Sequence, residues 1–444
     1  VGALHDNGLK YAAAAMIFAE GGERADLGDT QVGVVAANSA WIVLSAATSY
    51  RLQHPDYRGA EPLPAVRDRL ARARERGWRQ VLERHVADHS NLFGRLSLDL
   101  DAAAVDLATP RLLKQYGSGR ADYDRALEIL YFQFGRYLLI ASSRAGSLPA
   151  NLQGVWNNSA RPPWNADYHV NINLQMNYWP AFPTNLAETA LPLFDFIDHL
   201  RTPGREAARR VFDAGGWTLF LNTNIWGYTG LIDWPTAFWQ PEAGAWLVSQ
   251  SYEHYRYSRD ERFLREHVWP AMKGAAQFWL DALRVDPRDG KLVVTPSYSP
   301  EHGQFTAGAA MSQQIVFELF TKVAEVGPQL GEDVARTVTL HVKMHPVLVS
   351  DVVVADVHTL LRRMAARGGA PAALAARLQA HLDTGRLRVV PDFFWNMDGR
   401  LWELPPRLRL AFAGARLVVA KGDVNYRRAT HDALWPPAAS LADA

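Results

Sequence analysis

The chain has 444 residues, of which 48% are hydrophobic and 21% charged, a composition that supports packed cores and excludes a mostly disordered protein. Lys and Arg number 47 against 46 Asp and Glu, and the net charge of +1 excludes a global basic field for nucleic acid. Cysteine is absent, which excludes disulfides and thiolate metal sites, and no apolar run approaches the roughly 18 residues of a membrane span.

The N-terminus lacks the features of a secretory leader. The chain starts at Val1, and no basic segment followed by an apolar segment is visible. Either a signal has been removed or the chain begins inside a larger protein, and we favour the second explanation, a truncated N-terminus. The cellular location stays open.

Residues 1–60 predict the end of a β domain. Short apolar stretches at 9–19, 31–35 and 41–44 are separated by turn-forming residues such as Asn38 and Ser39. Because so few strands cannot close a large sandwich, we expect a truncated N-terminal β domain.

The sequence of residues 61–336 predicts a helical region. Apolar residues recur at helical spacing over 64–95, and we therefore predict a helical linker at 61–119. Residues 120–336 then alternate helices with long loops rich in aromatic residues, Gly and Pro, a pattern that favours a helical barrel. The predicted barrel helices cover 121–142, 186–200, 205–213, 242–257, 261–285 and 310–327.

Residues 337–444 predict a different architecture. The segment 338–342 alternates as a strand, 356–367 and 370–382 have helical patterns, and short apolar stretches at 387–390 and 417–420 are typical of buried strands. Alternation of apolar strands with helices indicates a parallel α/β sheet. Aromatic density and the sign of the net charge also change near residue 337, so we expect a separate, partial α/β domain.

A set of alternating polar residues gives the first candidate site. His169, Asn171, Asn173 and Gln175 share one face if the segment 169–176 is extended. The alternative is a half-buried strand with a solvated polar face. The neighbouring aromatic residues favour a sugar site, because sugars combine apolar C–H faces with hydroxyls.

Glu301 is the candidate acid. It follows Pro300 and precedes His302-Gly303, in a turn that constrains the backbone. Cleavage of a glycosidic bond needs a carboxylic acid that protonates the departing oxygen.

These segments resemble glycoside hydrolase family 95. The resemblance rests on 134–144, 151–157, 169–179 and 296–301, and it covers about residues 1–335. The family consists largely of 1,2-α-L-fucosidases, and some members act on α-L-galactosides. It implies an N-terminal β domain, a helical linker, an (α/α)6 barrel and an inverting mechanism without a cofactor.

The resemblance also implies site roles. Glu301 would be the general acid, while Asn171 and Asn173 would hold the attacking water with help from an Asp of a later barrel segment. His169 and Trp234 would contact the sugar of a fucosylated oligosaccharide.

The segments that carry this Asp are not recognisable in the sequence. We therefore expect a partial barrel with impaired catalysis. The apolar flanks of its edge helices would invite association, and the oligomeric state stays open.

The end of the last predicted strand gives the second candidate site. In parallel α/β sheets, sites lie at the carboxyl ends of strands. Lys421 and Arg427 suit a phosphate group, and Asp423 suits a hard divalent cation. The alternative is an ordinary strand end with solvated charges.

Residues 337–444 resemble the damage-control phosphatases, also described as acidic-residue methyltransferase-like proteins. The resemblance implies a metal-dependent phosphatase for sugar phosphates, with Asp423 as a metal ligand and Lys421, Asn425 and Arg427 in the phosphate site. The family's Asp-Asn pair on an earlier strand is missing from this chain.

Three functions are therefore open. The leading one is inverting hydrolysis of terminal α-L-fucosyl or α-L-galactosyl residues. The second is a metal-dependent sugar-phosphate phosphatase, and the third is an inactive or sugar-binding fusion of two truncated genes. We expect neither nucleic acid nor a membrane as a partner.

Overall fold

The computed structural model describes residues 1–28, 31–232, 238–331, 338–344, 352–397, 401–413 and 415. The chain forms two compact units. The first comprises residues 1–283 and 294–321, and the second comprises residues 284–293 and 322–444. The finer boundaries predicted at residues 60, 119 and 336 stay predictions.

The sequence predicts strands at the N-terminus, and in the first unit these strands form two antiparallel sheets. Strands β1, β2 and β5 form one sheet in that order, and β3 pairs with β4. Their bounds are Gly2–Ala3, Lys10–Glu20, Glu23–Asp26, Val32–Val35 and Ser39–Thr48 for β1 to β5. The third predicted stretch, 41–44, is longer than expected because all of β5 pairs with β2.

A long helix covers one face of the three-stranded sheet. Helix α1 spans Pro62–Phe93, close to the predicted 64–95. Its buried Val66 and Leu70 pack against Ala12 of β2. The helical geometry breaks at Gly77, whose φ of 74° lies in the left-handed region that glycine adopts without a side-chain clash.

The rest of the first unit is mainly helical. Helices α2 to α8 span Thr109–Gln115, Ala121–Ser142, Asn173–Tyr178, Leu191–Phe212, Ala243–Ser258, Trp269–Ala282 and Ala310–Gln329, the last of which runs into the second unit. Short strand pairs connect them: β6 (Tyr168–His169) with β7 (Asn222–Thr223), and β10 (Ser297–Ser299) with β11 (His302–Thr306). The helix predicted at 121–142 has the predicted bounds.

Two helix predictions were wrong in detail. The sequence predicts separate helices at 186–200 and 205–213, but α5 is continuous through Pro203. Its buried face continues on both sides of the proline, with Leu200, Gly204 and Ala207, so tertiary packing outweighs the missing hydrogen bond. The region 261–285 consists of a short helical turn, a π-helical turn at Leu264–Val268 and then α7.

Large aromatic side chains fill the core of this helical region. Phe196, Trp217, Phe220, Phe278 and Trp279 are almost completely buried. The indole N–H of Trp217 donates to the carbonyl of Ala271 at 2.9 Å, so its only polar atom is satisfied.

A buried arginine ties α3 to the end of α1. Arg136 is 1% exposed, and its guanidinium donates to the carbonyls of Leu92, Phe93 and Leu96 at 2.8–3.2 Å. The Leu92 carbonyl also accepts from the N–H of Arg95, whereas Phe93 and Leu96 lie at and beyond the end of α1, where carbonyls lack helical partners and the guanidinium supplies the donor.

The second unit has the predicted parallel strand pair. Strands β8 (Arg284–Val285) and β9 (Leu292–Val293) form an antiparallel pair. Strand β12 (Val338–Val342) lies parallel to β13 (Leu387–Pro391), and helices α9 (Val354–Ala366) and α10 (Gly369–Asp383) connect them. Helix α11 spans Pro406–Ala413. The strand predicted at 417–420 lies outside the described residues.

Within the described ranges, no helix combines the length and apolar character needed to cross a membrane.

Candidate functional site

The polar segment at 169–176 is not extended, which corrects the sequence-based expectation. Only Tyr168–His169 is a strand, and α4 begins at Asn173. Val170, Leu174 and Tyr178 are each at most 1% exposed, and this spacing of four residues is that of a helical turn. The four polar side chains therefore do not share one face.

Asn171 and Asn173 consequently have different environments. Asn171 is 8% exposed, and its Oδ1 is buried without a hydrogen-bond partner among the described residues. Asn173 is exposed in the first turn of α4. Gln175 is fully buried and donates to the carbonyl of Val170 at 2.7 Å, so it stabilises the turn.

Asp167 joins the site through His169 and Asn222. Oδ2 of Asp167 accepts a hydrogen bond from the Asn222 amide at 2.8 Å, and Oδ1 lies 3.2 Å from Nε2 of His169. His169 and Asn222 face each other in the β6–β7 pair. The His169 and Asp167 side chains are 13% and 12% exposed, so a carboxylate and an imidazole meet in a largely desolvated position.

Glu301 lies at the exposed tip of the β10–β11 hairpin. A series of hydrogen bonds runs from β6 toward this hairpin. The N–H of Val170 donates to the Leu221 carbonyl, and the N–H of Leu221 donates to Phe238. The indole of the next residue, Trp239, donates to the carbonyl of Pro296 at 2.8 Å. The hairpin is thus anchored to the segment that follows the β7 region.

A buried carboxyl group supports the base of the hairpin. Ser297 Oγ donates to Ser312 Oγ at 3.0 Å, and Ser312 Oγ donates to Glu242 at 2.6 Å. Glu242 is 1% exposed, and burial raises its pKa from 4.5 to about 7, while the bond from Ser312 opposes that rise. The carboxyl group therefore titrates near neutral pH.

An aromatic loop precedes the site. Trp164, Asn165 and Ala166 all have φ between 46° and 55°, the left-handed region that non-glycine residues seldom adopt. Each such residue costs on the order of 1 kcal/mol. The N–H of Leu152 donates to the carbonyl of Asp167 at 3.2 Å, which ties this loop to the preceding one.

The other predicted site residues cannot be placed. Trp234, Lys421, Asp423, Asn425 and Arg427 lie outside the described residues. The described part of the chain contains no group of three or more acidic or histidine side chains placed to hold a metal ion.

Sequence reasoning missed Asp167, Asn222 and Glu242. Asp167 precedes the recognised histidine by two residues, and that proximity was the available signal. Asn222 is 55 residues from its partner Asp167, and the sequence carries no local sign of the contact. Glu242 stands at the start of a predicted helix, where an acidic residue has an ordinary explanation.

Two family models match the chain. The glycosyl hydrolase family 95 catalytic domain matches residues 77–353, and the damage-control phosphatase ARMT1-like domain matches residues 316–444. Both predicted resemblances are therefore confirmed. The matches overlap over 316–353, a range that contains the predicted boundary at 336.

The chain is similar to several curated proteins. It is 33% identical to alpha-L-fucosidase 2 of Arabidopsis thaliana, over 77% of this chain and 43% of that protein. It is 36% identical to the probable alpha-fucosidase A of Aspergillus niger, over 66% and 39% respectively. The damage-control phosphatase ARMT1 of Bos taurus is 26% identical over 27% of this chain and 28% of its own length.

A solved structure supports the fold. A putative kojibiose phosphorylase from human microbiome aligns with a TM-score of 0.53 at 11% identity, over 73% of this chain and 41% of that chain. The chain thus spans about two-fifths of the length of the fucosidases and of this structure.

Proposed function

The chain belongs to glycosyl hydrolase family 95, and we propose that it acts on terminal α-L-fucosyl or α-L-galactosyl residues of oligosaccharides by inverting hydrolysis. The identity to proteins named as fucosidases supports this substrate class. We also propose that the helices of the first unit form part of an (α/α)6 barrel.

The observation that carries the proposal is the group around His169. The imidazole of His169 and the buried Oδ1 of Asn171 belong to residues two positions apart, and the carboxylate of Asp167 lies beside the imidazole. Polar groups held in this way suit the hydroxyls of a sugar, because a site built for hydroxyls discriminates through their hydrogen bonds.

The roles proposed are those that the family resemblance implies, and they fit the chemistry of glycoside cleavage. Glu301 donates its proton to the departing glycosidic oxygen, while water attacks the anomeric carbon from the opposite face. The family resemblance assigns that water to Asn171 and Asn173, of which the first is buried and the second is exposed in the first turn of α4. An amide is a weak base, so a carboxylate must take the proton from the water. The Asp that the resemblance implies for this step is not recognisable in the sequence, and we propose that catalysis is impaired for this reason.

The test is release of L-fucose from 2′-fucosyllactose by wild type, Glu301→Gln and the control Glu253→Gln. Glu253 is a residue of α6 that pairs with Arg256 on the surface. We expect turnover by wild type and by the control, and a loss of at least a hundredfold for Glu301→Gln. Equal activity of all three would exclude Glu301 as the acid. Sugar binding without turnover would favour a binding protein.

The second candidate function is a metal-dependent sugar-phosphate phosphatase. The match of residues 316–444 to the ARMT1-like domain supports it. We propose that Asp423 ligates a divalent cation and that Lys421, Asn425 and Arg427 bind the phosphate. Hydrolysis of a sugar phosphate that requires Mg²⁺ or Mn²⁺, and that Asp423→Ala abolishes, is the expected result. Activity that survives a chelator would contradict it.

A further inference from the structure

Trp164 is an exposed aromatic residue at the edge of the candidate sugar site. The residue is 65% exposed, and its ring meets the imidazole of His169 in an edge-type contact at a centroid distance of 6.0 Å and an angle of 77°. The His169 side chain is only 13% exposed. The two rings therefore lie at different depths, with the imidazole inside and the indole outside.

The backbone at Trp164 has an unfavourable conformation. Trp164, Asn165 and Ala166 are three consecutive non-glycine residues in the left-handed region. Two hydrogen bonds fix the turn, from the Asn165 N–H to the Pro162 carbonyl and from the Asp167 N–H to the Trp164 carbonyl. Strain of this kind persists where the surrounding structure enforces it, and it is concentrated at ligand sites.

We propose that Trp164 is the stacking platform for the second sugar, the pyranoside to which the terminal fucosyl or galactosyl residue is attached. This inference rests on the proposed function. A terminal sugar that contacts His169 occupies the inner position, so the next ring toward solvent is the one that reaches the indole. The C–H face of a pyranoside can pair with the exposed ring of a tryptophan through apolar contact.

The experiment compares two ligands in a background that does not consume them. Glu301→Gln, Glu301→Gln/Trp164→Ala and Glu301→Gln/Trp164→Phe are titrated calorimetrically with L-fucose and with 2′-fucosyllactose. The control is Glu301→Gln/Tyr131→Ala, since Tyr131 is a 79% exposed aromatic residue of α3 outside the loop.

We expect Trp164→Ala to weaken binding of 2′-fucosyllactose about tenfold and that of L-fucose less than twofold. The phenylalanine variant should recover part of the loss, and the control should bind both ligands as the background does. An equal loss of affinity for both ligands, or no loss of affinity for either, would overturn the proposal that Trp164 is a stacking platform. Absence of L-fucose binding by the background itself would instead refute the proposed function.

Discussion

Glu242 is the most perturbed carboxyl group near the candidate site, and its titration should be visible in the stability of the protein. Replacing it with glutamine removes the ionisation but keeps an oxygen that accepts the hydrogen bond from Ser312. The burial of Glu242 is nearly complete, so solvent screening is weak.

The sign follows from proton binding in the two states. A group whose pKa rises from 4.5 to about 7 on folding binds more protons in the folded state between those values. The free energy of unfolding therefore falls as pH rises from about 4.5 to 7, and it levels off above that range. The shift corresponds to about 3 kcal/mol, all of it present below pH 4.5 and absent above pH 8.

The assay is urea unfolding at pH 5, 6, 7 and 8, followed by tryptophan fluorescence. Twelve of the 15 tryptophans precede residue 284, so the signal reports mainly on the first unit. Glu242→Gln should gain about 2 to 3 kcal/mol relative to wild type between pH 5 and pH 8, since a part of the total is already lost below pH 5. The control Glu253→Gln, at a partly exposed surface ion pair, should follow wild type within about 0.5 kcal/mol. Parallel pH profiles of wild type and Glu242→Gln would refute the reasoning.

Three further predictions concern the same unit. Ser312→Ala removes the bond that lowers the pKa of Glu242, so the loss of stability should extend to higher pH in the same titration. Asp167→Asn should weaken L-fucose binding about tenfold by calorimetry, because the carboxylate that lies beside His169 and accepts from Asn222 becomes a neutral amide, and unchanged affinity would contradict this. Arg136→Met should lower the free energy of unfolding by about 3 kcal/mol, since the carbonyls of Leu92 and Phe93 lose a charged donor, and a change below about 1 kcal/mol would be inconsistent.

The hydrophobic pattern of the sequence correctly predicted those helices and strands in which the pattern continues over the whole element. Helix α3 and the parallel strands β12 and β13 are close to their predicted bounds, because each has an uninterrupted period or an apolar run. The prediction of an extended segment at 169–176 was wrong, because an alternation over only eight residues is partly compatible with the helical period as well as with the strand period. Burial of Val170, Leu174 and Tyr178 on one side decided in favour of the helical turn.

The contacts that build the site are distant in sequence. Asp167 meets Asn222 across 55 residues, and Ser312 meets Glu242 across 70. A carboxyl group at a helix start and an amide in a short strand carry no local sign of such partners. The residues that the sequence nominated, His169, Asn171 and Glu301, stand in recognisable motifs and stay predictions, whereas the side chains that contact them or support their segments became visible only in the fold.

The most direct test of the account is the anomeric form of the first product. The chain is incubated with 2′-fucosyllactose, and the anomeric proton of released L-fucose is followed by NMR before mutarotation. Inverting hydrolysis of an α-linkage predicts that β-L-fucose appears first. Initial release of α-L-fucose, or no release by a folded chain that binds L-fucose, would contradict the proposed reaction.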